Sequence, residues 1–268
     1  MILSGQAVFN KIINELSRLD APSGQLAILQ VGNDLASNIY IKKKLELAKT
    51  LSVKAQVYKF NNSISEDELL EEISNLNENQ EVSGILVQIP LPSQIDRTKI
   101  CSAISSDKDV DGFGYILGKE CKVLPPTIKA IDQVLVHYNI LKKDKKIIIV
   151  GGGFLVGSPL FRYYQEEGCD VELLNEGDDL YFERLQEADI VILATGGGAV
   201  FDHTHFAQGS VVIDASTIAS DSKLYGDLET SLIDGKFSFS PVPGGVGPVT
   251  VAMLFVNFYL LNSLVLDL

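Results

Sequence analysis

The stretch Ile147-Ile148-Ile149-Val150-Gly151-Gly152-Gly153-Phe154-Leu155-Val156-Gly157-Ser158 decides the fold of this chain. Four apolar residues read as a buried strand, and three glycines end it. A helix from about Ser158 to Glu167 follows, then a strand over Asp170 to Leu174. Glycines between strand and helix let backbone N–H groups and the helix N-terminus approach a pyrophosphate. The spacing, G-x-G-x-x-x-G, is one residue off the common dinucleotide fingerprint. No Lys precedes Ser158, which excludes a Walker-type phosphate loop. The competing reading is a tight turn that holds no ligand. Glu176 follows Gly151 by about 25 residues, near where an acidic side chain meets the adenosine ribose. A carboxylate there accepts from a free 2′-hydroxyl and repels a 2′-phosphate. No Arg lies in the turn or at this tip, so the local chemistry favours NAD over NADP.

Working outward, Ile190 to Ala194 and Ser210 to Asp214 bring this half to at least four strands. A basic linker, Lys142-Lys143-Asp144-Lys145-Lys146, precedes it, and Pro126 to Leu141 reads as one bridging helix. The first half alternates in the same way. Val8, Phe9, Ile12, Ile13, Leu16 and Leu19 share a helical face, and Gln25 to Val31 reads as a strand. Ser37 is the expected cap of a helix carrying Tyr40, Ile41, Leu45, Ala48 and Leu51. Ala55 to Phe60 is a strand, Ser65-Glu66-Asp67-Glu68 a capping box, and Gly84 to Gln88 another buried strand. Successive β-α units imply parallel sheets covered by helices. The expected fold is therefore α/β, two such layers joined by long helices.

Composition narrows the function. At about 150 residues per domain, 268 residues make one large or two modest domains. Apolar residues at 46% and charged residues at 21% exclude overall disorder. A net charge of −13 repels a polyphosphate backbone, so no nucleic-acid partner is expected. Three cysteines without a CxxC pair argue against a disulfide framework and fit a reducing cytoplasm. Three scattered histidines give no metal site. The N-terminus lacks the basic and apolar regions of a signal peptide. Val249 to Leu266 runs 18 residues without a charge, but no close Lys or Arg flanks it. It is expected to be a helix in the protein's own core, not a membrane span.

Three segments of the first half hold chemistry beyond packing. Tyr40 and Lys44, at i and i+4, project from one helical face. Gln88 ends a buried strand, at the carboxyl edge where open α/β sheets place ligands. Lys108-Asp109-Val110-Asp111-Gly112 is a turn-forming acidic segment. A later segment, Pro241-Val242-Pro243-Gly244-Gly245-Val246-Gly247-Pro248, offers backbone N–H groups before the last helix. Each has a bland reading as a solvated lysine face, a satisfied amide or a turn former. Together they supply an ammonium, an amide, a phenol and a carboxylate.

Joined in order, these segments resemble the bifunctional methylenetetrahydrofolate dehydrogenase/methenyltetrahydrofolate cyclohydrolase family. The matching stretches are Val31 to Asp34, Ser37 to Lys44, Gly84 to Pro92, Lys108 to Phe113 and Pro241 to Ala252. The resemblance implies two domains flanking a cleft. The first, over 1–140 with a helix at 249–268 packing back on it, is a three-layer α/β folate domain. The second, over 141–248, is a Rossmann-like parallel-sheet dinucleotide domain. It also implies a homodimer and an enzyme that acts on tetrahydrofolate one-carbon derivatives. Carried over by motif, the catalytic residues are Lys44, Gln88 and Tyr40, and the pterin-binding aspartate is Asp111. The substrate set adds Val87, Pro243, Gly244 and Gly245. The cofactor set is Gly151, Gly152, Gly153, Val156, Gly157, Glu176, Thr195 and Gly196.

Departures from the family pattern concentrate in the second half. The usual G-R-S-x-x-V-G-x-P keeps Gly151, Val156, Gly157 and Pro159, but Gly152 and Gly153 replace Arg and Ser. Glu176 stands where a serine customarily helps hold the 2′-phosphate. Pro125 to Ala130 alters the usual P-C-T-P-x-G, and Ser216-Thr217 replaces Gly-Ile. NADP use is thereby the first property in question and dehydrogenase activity the second. Three other readings compete: a cyclohydrolase with a decayed cofactor domain, a non-catalytic folate-binding protein, and a generic α/β dehydrogenase. The last leaves Lys44 and Gln88 unexplained.

Overall fold

The structure, a computed structural model, describes residues 1–178, 181–220, 223–230 and 235–262. By internal contacts the chain forms two compact units. One comprises Lys11–Pro126 together with the chain from Val251; the other comprises Met1–Asn10 and Thr127–Thr250. Each contains its own parallel sheet.

In the first unit, strands β1 (Gln25–Val31), β2 (Lys54–Phe60) and β3 (Val82–Gln88) lie in the order β2-β1-β3. Helix α1 (Gly5–Leu16) precedes β1, α2 (Leu35–Thr50) links β1 to β2, and α3 (Glu66–Glu78) links β2 to β3. Six of the seven β1 residues are buried, as a strand covered by helices requires. The α3 capping box is present, Ser65 and Glu68 each capping the other's backbone N–H. Two expectations are corrected. Asp34, not Ser37, caps α2, its Oδ1 accepting from the Ser37 N–H at 2.8 Å. The first helix also ends at Leu16, short of Leu19, as 3-10-type bonds from Arg18 and Leu19 tighten its last turn. After β3 come two short helices, α4 (Arg97–Ala103) and α5 (Phe113–Ile116).

The helix α6 (Pro126–His137) stops before the expected Leu141, because Asn139 takes a left-handed φ of 56°. Strands β4 (Lys146–Val150), β5 (Asp170–Leu174), β6 (Ile190–Leu193) and β7 (Val211–Asp214) follow, with α7 (Gly157–Glu166) and α8 (Tyr181–Leu185) between them. A small antiparallel pair, β8 (Ile218–Ser220) with β9 (Lys223–Tyr225), precedes β10 (Ser238–Phe239). The large sheet is parallel, ordered β10-β7-β6-β4-β5. Ile147 to Val150 are all fully buried, each contributing roughly 1.5–3 kcal/mol of apolar burial. The glycine turn leaves β4 between β5 and β6, where strand order reverses and open sheets bind ligands.

The final helix, α9 (Val246–Leu261), has 16 residues and is apolar on every face. Such a helix belongs in a core. Phe255, Phe258 and Tyr259 are fully buried. Asn257, also buried, donates to the carbonyls of Val110 and Leu124, at 2.9 Å each, which satisfies its amide inside the first unit. Residues 263–268 of the expected helix lie outside the described residues. Among the described residues, no helix is long and apolar enough to cross a membrane.

Candidate active site

In the first unit, α2 carries Tyr40 and Lys44 one turn apart, and the carboxyl end of β3 carries Gln88. The structure brings Lys44 and Gln88 together: the Lys44 Nζ donates to Gln88 Oε1 at 2.9 Å. Gln88 is held from its other end, its Nε2 donating to the Ile89 carbonyl at 2.9 Å. That bond turns the amide oxygen toward the amine. Burial pushes the Lys44 ammonium below the ordinary lysine range, and the Asp111 carboxylate opposes the shift. Asp111 is pushed up to about 6 by burial, with Lys44 pulling it down and Asp109 pushing it up. An amine, an amide and a carboxylate therefore share one buried electrostatic neighbourhood.

Local structure explains how Asp111 gets there. Residues 108–109 run beside β3, with the Ile85 N–H donating to the Lys108 carbonyl at 2.7 Å. Asp109, buried, accepts the Gly114 N–H at 2.8 Å and closes the turn. Gly112 sits at φ 67°, where an added Cβ would lie 2.7 Å from Pro125 N. Only glycine suits that position. The Lys108 Nζ donates to the carbonyls of Leu76, Asn77 and Asn79, tying the segment to the end of α3.

Tyr40 is half-buried on the same helix, with Lys43 Nζ 5.2 Å from its ring centre. Val87 is buried in β3, paired with Leu29 of β1. A brace beside the site escaped the sequence reading. Buried Gln30, on β1, donates to Asn38 Oδ1 at 2.7 Å, and Asn38 donates to Asn33 Oδ1 at 3.0 Å. A polar residue inside an otherwise apolar strand was its available signal.

The second unit holds the remaining predicted residues. Gly151 has φ 95°, and a Cβ there would meet the Ala194 carbonyl at 2.7 Å. A Cβ on Gly157 would lie 1.7 Å from the Gly151 oxygen, so α7 packs against the turn only through a glycine. Gly152 and Gly153 differ. A Cβ on Gly152 would approach Asn175 Oδ1 at 3.0 Å, and one on Gly153 would meet nothing nearer than 3.9 Å. The Gly152 N–H donates to Asn175 Oδ1 and its carbonyl accepts from the Ser158 hydroxyl, at 2.9 and 2.7 Å. Val156, the residue before α7, provides no side-chain cap. This turn fits a dinucleotide: close backbone approach at Gly151 and an uncapped helix start.

Glu176 is exposed just past β5. The tip is closed by the Asn175 N–H donating to Asp178 Oδ2 at 2.6 Å. Thr195 and Gly196 are exposed just past β6. Pro243, Gly244 and Gly245 precede α9, and the Gly244 carbonyl accepts from the Gly5 N–H at 2.8 Å. Among the described residues, no group of three His, Cys, Asp or Glu side chains is placed to hold a metal.

The fold and these sites define a two-domain α/β protein with a dinucleotide turn on one sheet and a lysine-amide pair on the other. Comparison with known proteins makes this particular. Residues 3–111 match the catalytic domain of tetrahydrofolate dehydrogenase/cyclohydrolase, and residues 125–264 match its NAD(P)-binding domain. The bifunctional protein FolD of Aquifex aeolicus is 37% identical over 273 residues, spanning 96% of this chain and 93% of that protein. The crystal structure of the bifunctional enzyme FolD from Campylobacter jejuni superposes with a TM-score of 0.89 at 32% identity, covering 98% of both chains. The Trypanosoma brucei enzyme, solved with NADP and an inhibitor, gives 0.89 at 25% identity, covering 98% of this chain and 97% of that one. The chain belongs to the tetrahydrofolate dehydrogenase/cyclohydrolase family.

Proposed function

We propose that this chain is a bifunctional enzyme of folate one-carbon chemistry. It oxidises 5,10-methylenetetrahydrofolate to the 5,10-methenyl form and hydrolyses that to 10-formyltetrahydrofolate. The observation that carries the reading is the Lys44–Gln88 hydrogen bond beside Asp111. A nicotinamide dinucleotide, when bound, supplies the hydride acceptor, and Gly151, Gly152, Gly153, Val156, Gly157, Thr195 and Gly196 would hold it.

This chain's own residues do the rest. Asp111, ionised above about 6, accepts adjacent N–H donors of the pterin in a two-point contact that orients the ring. Oxidation leaves a cationic methenyl carbon, which water attacks. Lys44, with its ammonium destabilised by burial, takes a proton from that water and returns one to the departing ring nitrogen. Gln88 holds the amine at 2.9 Å, and Tyr40 lies along the same helical face. Val87, next to Gln88 on β3, is assigned to the substrate by the family resemblance.

NAD is the preferred cofactor on this reading. Gly152 and Gly153 have no side chain to meet a 2′-phosphate, and the exposed Glu176 carboxylate repels one. The chain acts as a homodimer in the cytoplasm, where its three free cysteines stay reduced. The test is a cofactor assay with 5,10-methylenetetrahydrofolate, supplying NAD and NADP separately and following reduced cofactor and 10-formyl product in parallel. Turnover with NAD above NADP is expected. Turnover mainly with NADP discards the cofactor preference, and formyl product from methenyltetrahydrofolate without any oxidation leaves a cyclohydrolase alone.

A further inference from the structure

Four consecutive backbone amides beyond β6 converge on two side chains. The Thr195 N–H donates to Asp227 Oδ2 at 2.8 Å, and those of Gly197 and Gly198 donate to Asp227 Oδ1 at 3.0 and 3.2 Å. Between them, the Gly196 N–H donates to Ser216 Oγ at 3.1 Å. The Ser216 hydroxyl in turn donates to Asp227 Oδ2. Asp227 is fully buried and Ser216 nearly so, whereas Thr195, Gly196 and Gly197 lie at the surface.

A run of N–H groups wrapped around one anion is a nest. Here the anion is the protein's own carboxylate, so the loop has no amide left for a phosphate. What the bonds accomplish is order. Gly196 and Gly198 both take φ 70° within a run of three glycines, the segment with most backbone freedom to lose. The anchors are themselves anchored. Asp214, at the end of β7, accepts the N–H groups of Ser216 at 3.0 Å and Leu228 at 2.9 Å. A Cβ on Gly226 would lie 2.0 Å from Asp214 Oδ2, so the segment leading to Asp227 passes this carboxyl only as glycine.

We propose that Asp227 and Ser216 are positioning residues that preset the Thr195–Gly198 loop to receive the nicotinamide cofactor. The inference rests on the proposed placement of Thr195 and Gly196 at the cofactor. Ser216 gives it a handle, since its hydroxyl both accepts from the loop and donates to Asp227. Removing that hydroxyl loosens the loop and weakens cofactor binding while sparing hydrolysis at Lys44.

The experiment uses full-length Ser216→Ala, with Ser216→Thr as the conservative control. Three quantities are measured: amide hydrogen exchange of 195–198 without cofactor, dehydrogenase kcat and KM for NAD and NADP, and hydrolysis of methenyltetrahydrofolate. In Ser216→Ala, exchange at these amides and KM for the cofactor each rise about fivefold, the loss of one hydrogen bond. Cyclohydrolase activity holds within twofold, and Ser216→Thr returns both altered values toward wild type. Unchanged exchange overturns the clamp. Faster exchange with unchanged KM overturns the placement of the loop at the cofactor. A parallel fall of both activities marks Ser216 as a general structural contact and overturns the positioning role. Wild-type protein that binds neither NAD nor NADP overturns the function reading itself, and that result appears before any substitution is made.

Discussion

The two units solve different problems with different parts of the amino acid. In the first, the proposed chemistry is carried by side-chain ends: the Lys44 ammonium bonded to the Gln88 amide, which the Ile89 carbonyl holds, and the Asp111 carboxylate in their electrostatic neighbourhood. In the second, it is carried by the main chain, with Gly151 and Gly157 allowing a close approach that any Cβ would block. Side-chain chemistry tolerates few replacements, because each group has a pKa and a reach. Main-chain chemistry leaves nearby positions free to change, and Gly152 and Gly153 are among the positions where this chain departs from the family pattern. The catalytic half therefore keeps its letters and the cofactor half keeps its shape.

The sharpest way to break this comparison is Lys44→Met. The side chain keeps much of its length and loses its proton-carrying end, so cyclohydrolase turnover falls by about 100-fold or more. Binding of a folate ligand, followed by calorimetry, stays within a few-fold. Unchanged hydrolysis removes Lys44 from the mechanism and leaves the first unit a binding site.

Next in size is a paired test of the second unit. Gly157→Ala places a Cβ 1.7 Å from the Gly151 oxygen and costs about 1–3 kcal/mol or more through overpacking. Thermal unfolding shifts downward and the KM for cofactor rises at least tenfold. Gly153→Ser, whose Cβ meets nothing nearer than 3.9 Å, leaves the melting temperature unchanged. Equal behaviour of the two variants would mean that the turn is not read through its backbone.

The third prediction concerns pH. Asp111 titrates near 6, above its ordinary value, so its carboxylate form is lost as pH falls through about 6. If that form accepts the pterin N–H groups as proposed, KM for the folate substrate rises below that pH and levels off above it. Asp111→Asn raises KM about 10-fold or more at neutral pH, through loss of a charge-assisted hydrogen bond, and flattens the profile. A wild-type KM independent of pH between 5 and 8 refutes the assignment.

What was legible in the sequence follows the same division. Parallel strands announce themselves as apolar runs, and β1 and β5 were read with the observed limits. Lys44 and Gln88 were legible as types, and the resemblance joined them across 44 residues. Helix ends were less so. Asp34 and Ser37 are both good caps, and which one serves depends on where the chain leaves β1. The anchoring of 195–198 by Asp227 could not be read at all. Its partners lie up to 32 residues apart in a segment without periodicity, and only the folded backbone turns those amides inward.

The smallest expected effect tests the freest position. Glu176 is exposed at the tip beyond β5, and among the described residues Asn175 and Asp178 hold the turn. Replacing it should therefore change what the tip repels without changing what it is. Glu176→Ser removes one charge from the vicinity of a 2′-phosphate and supplies a hydroxyl that donates to it. Near the surface such a change is worth about 1.4 kcal/mol, so the ratio of kcat/KM for NADP to that for NAD rises about tenfold. The melting temperature and the cyclohydrolase rate stay at wild-type values. Because the interaction is exposed, the gain shrinks as salt is raised. A tenfold shift that is insensitive to salt points to a rearranged tip instead of removed repulsion. No shift at all makes Glu176 an ordinary loop residue and leaves cofactor choice to Gly152 and Gly153.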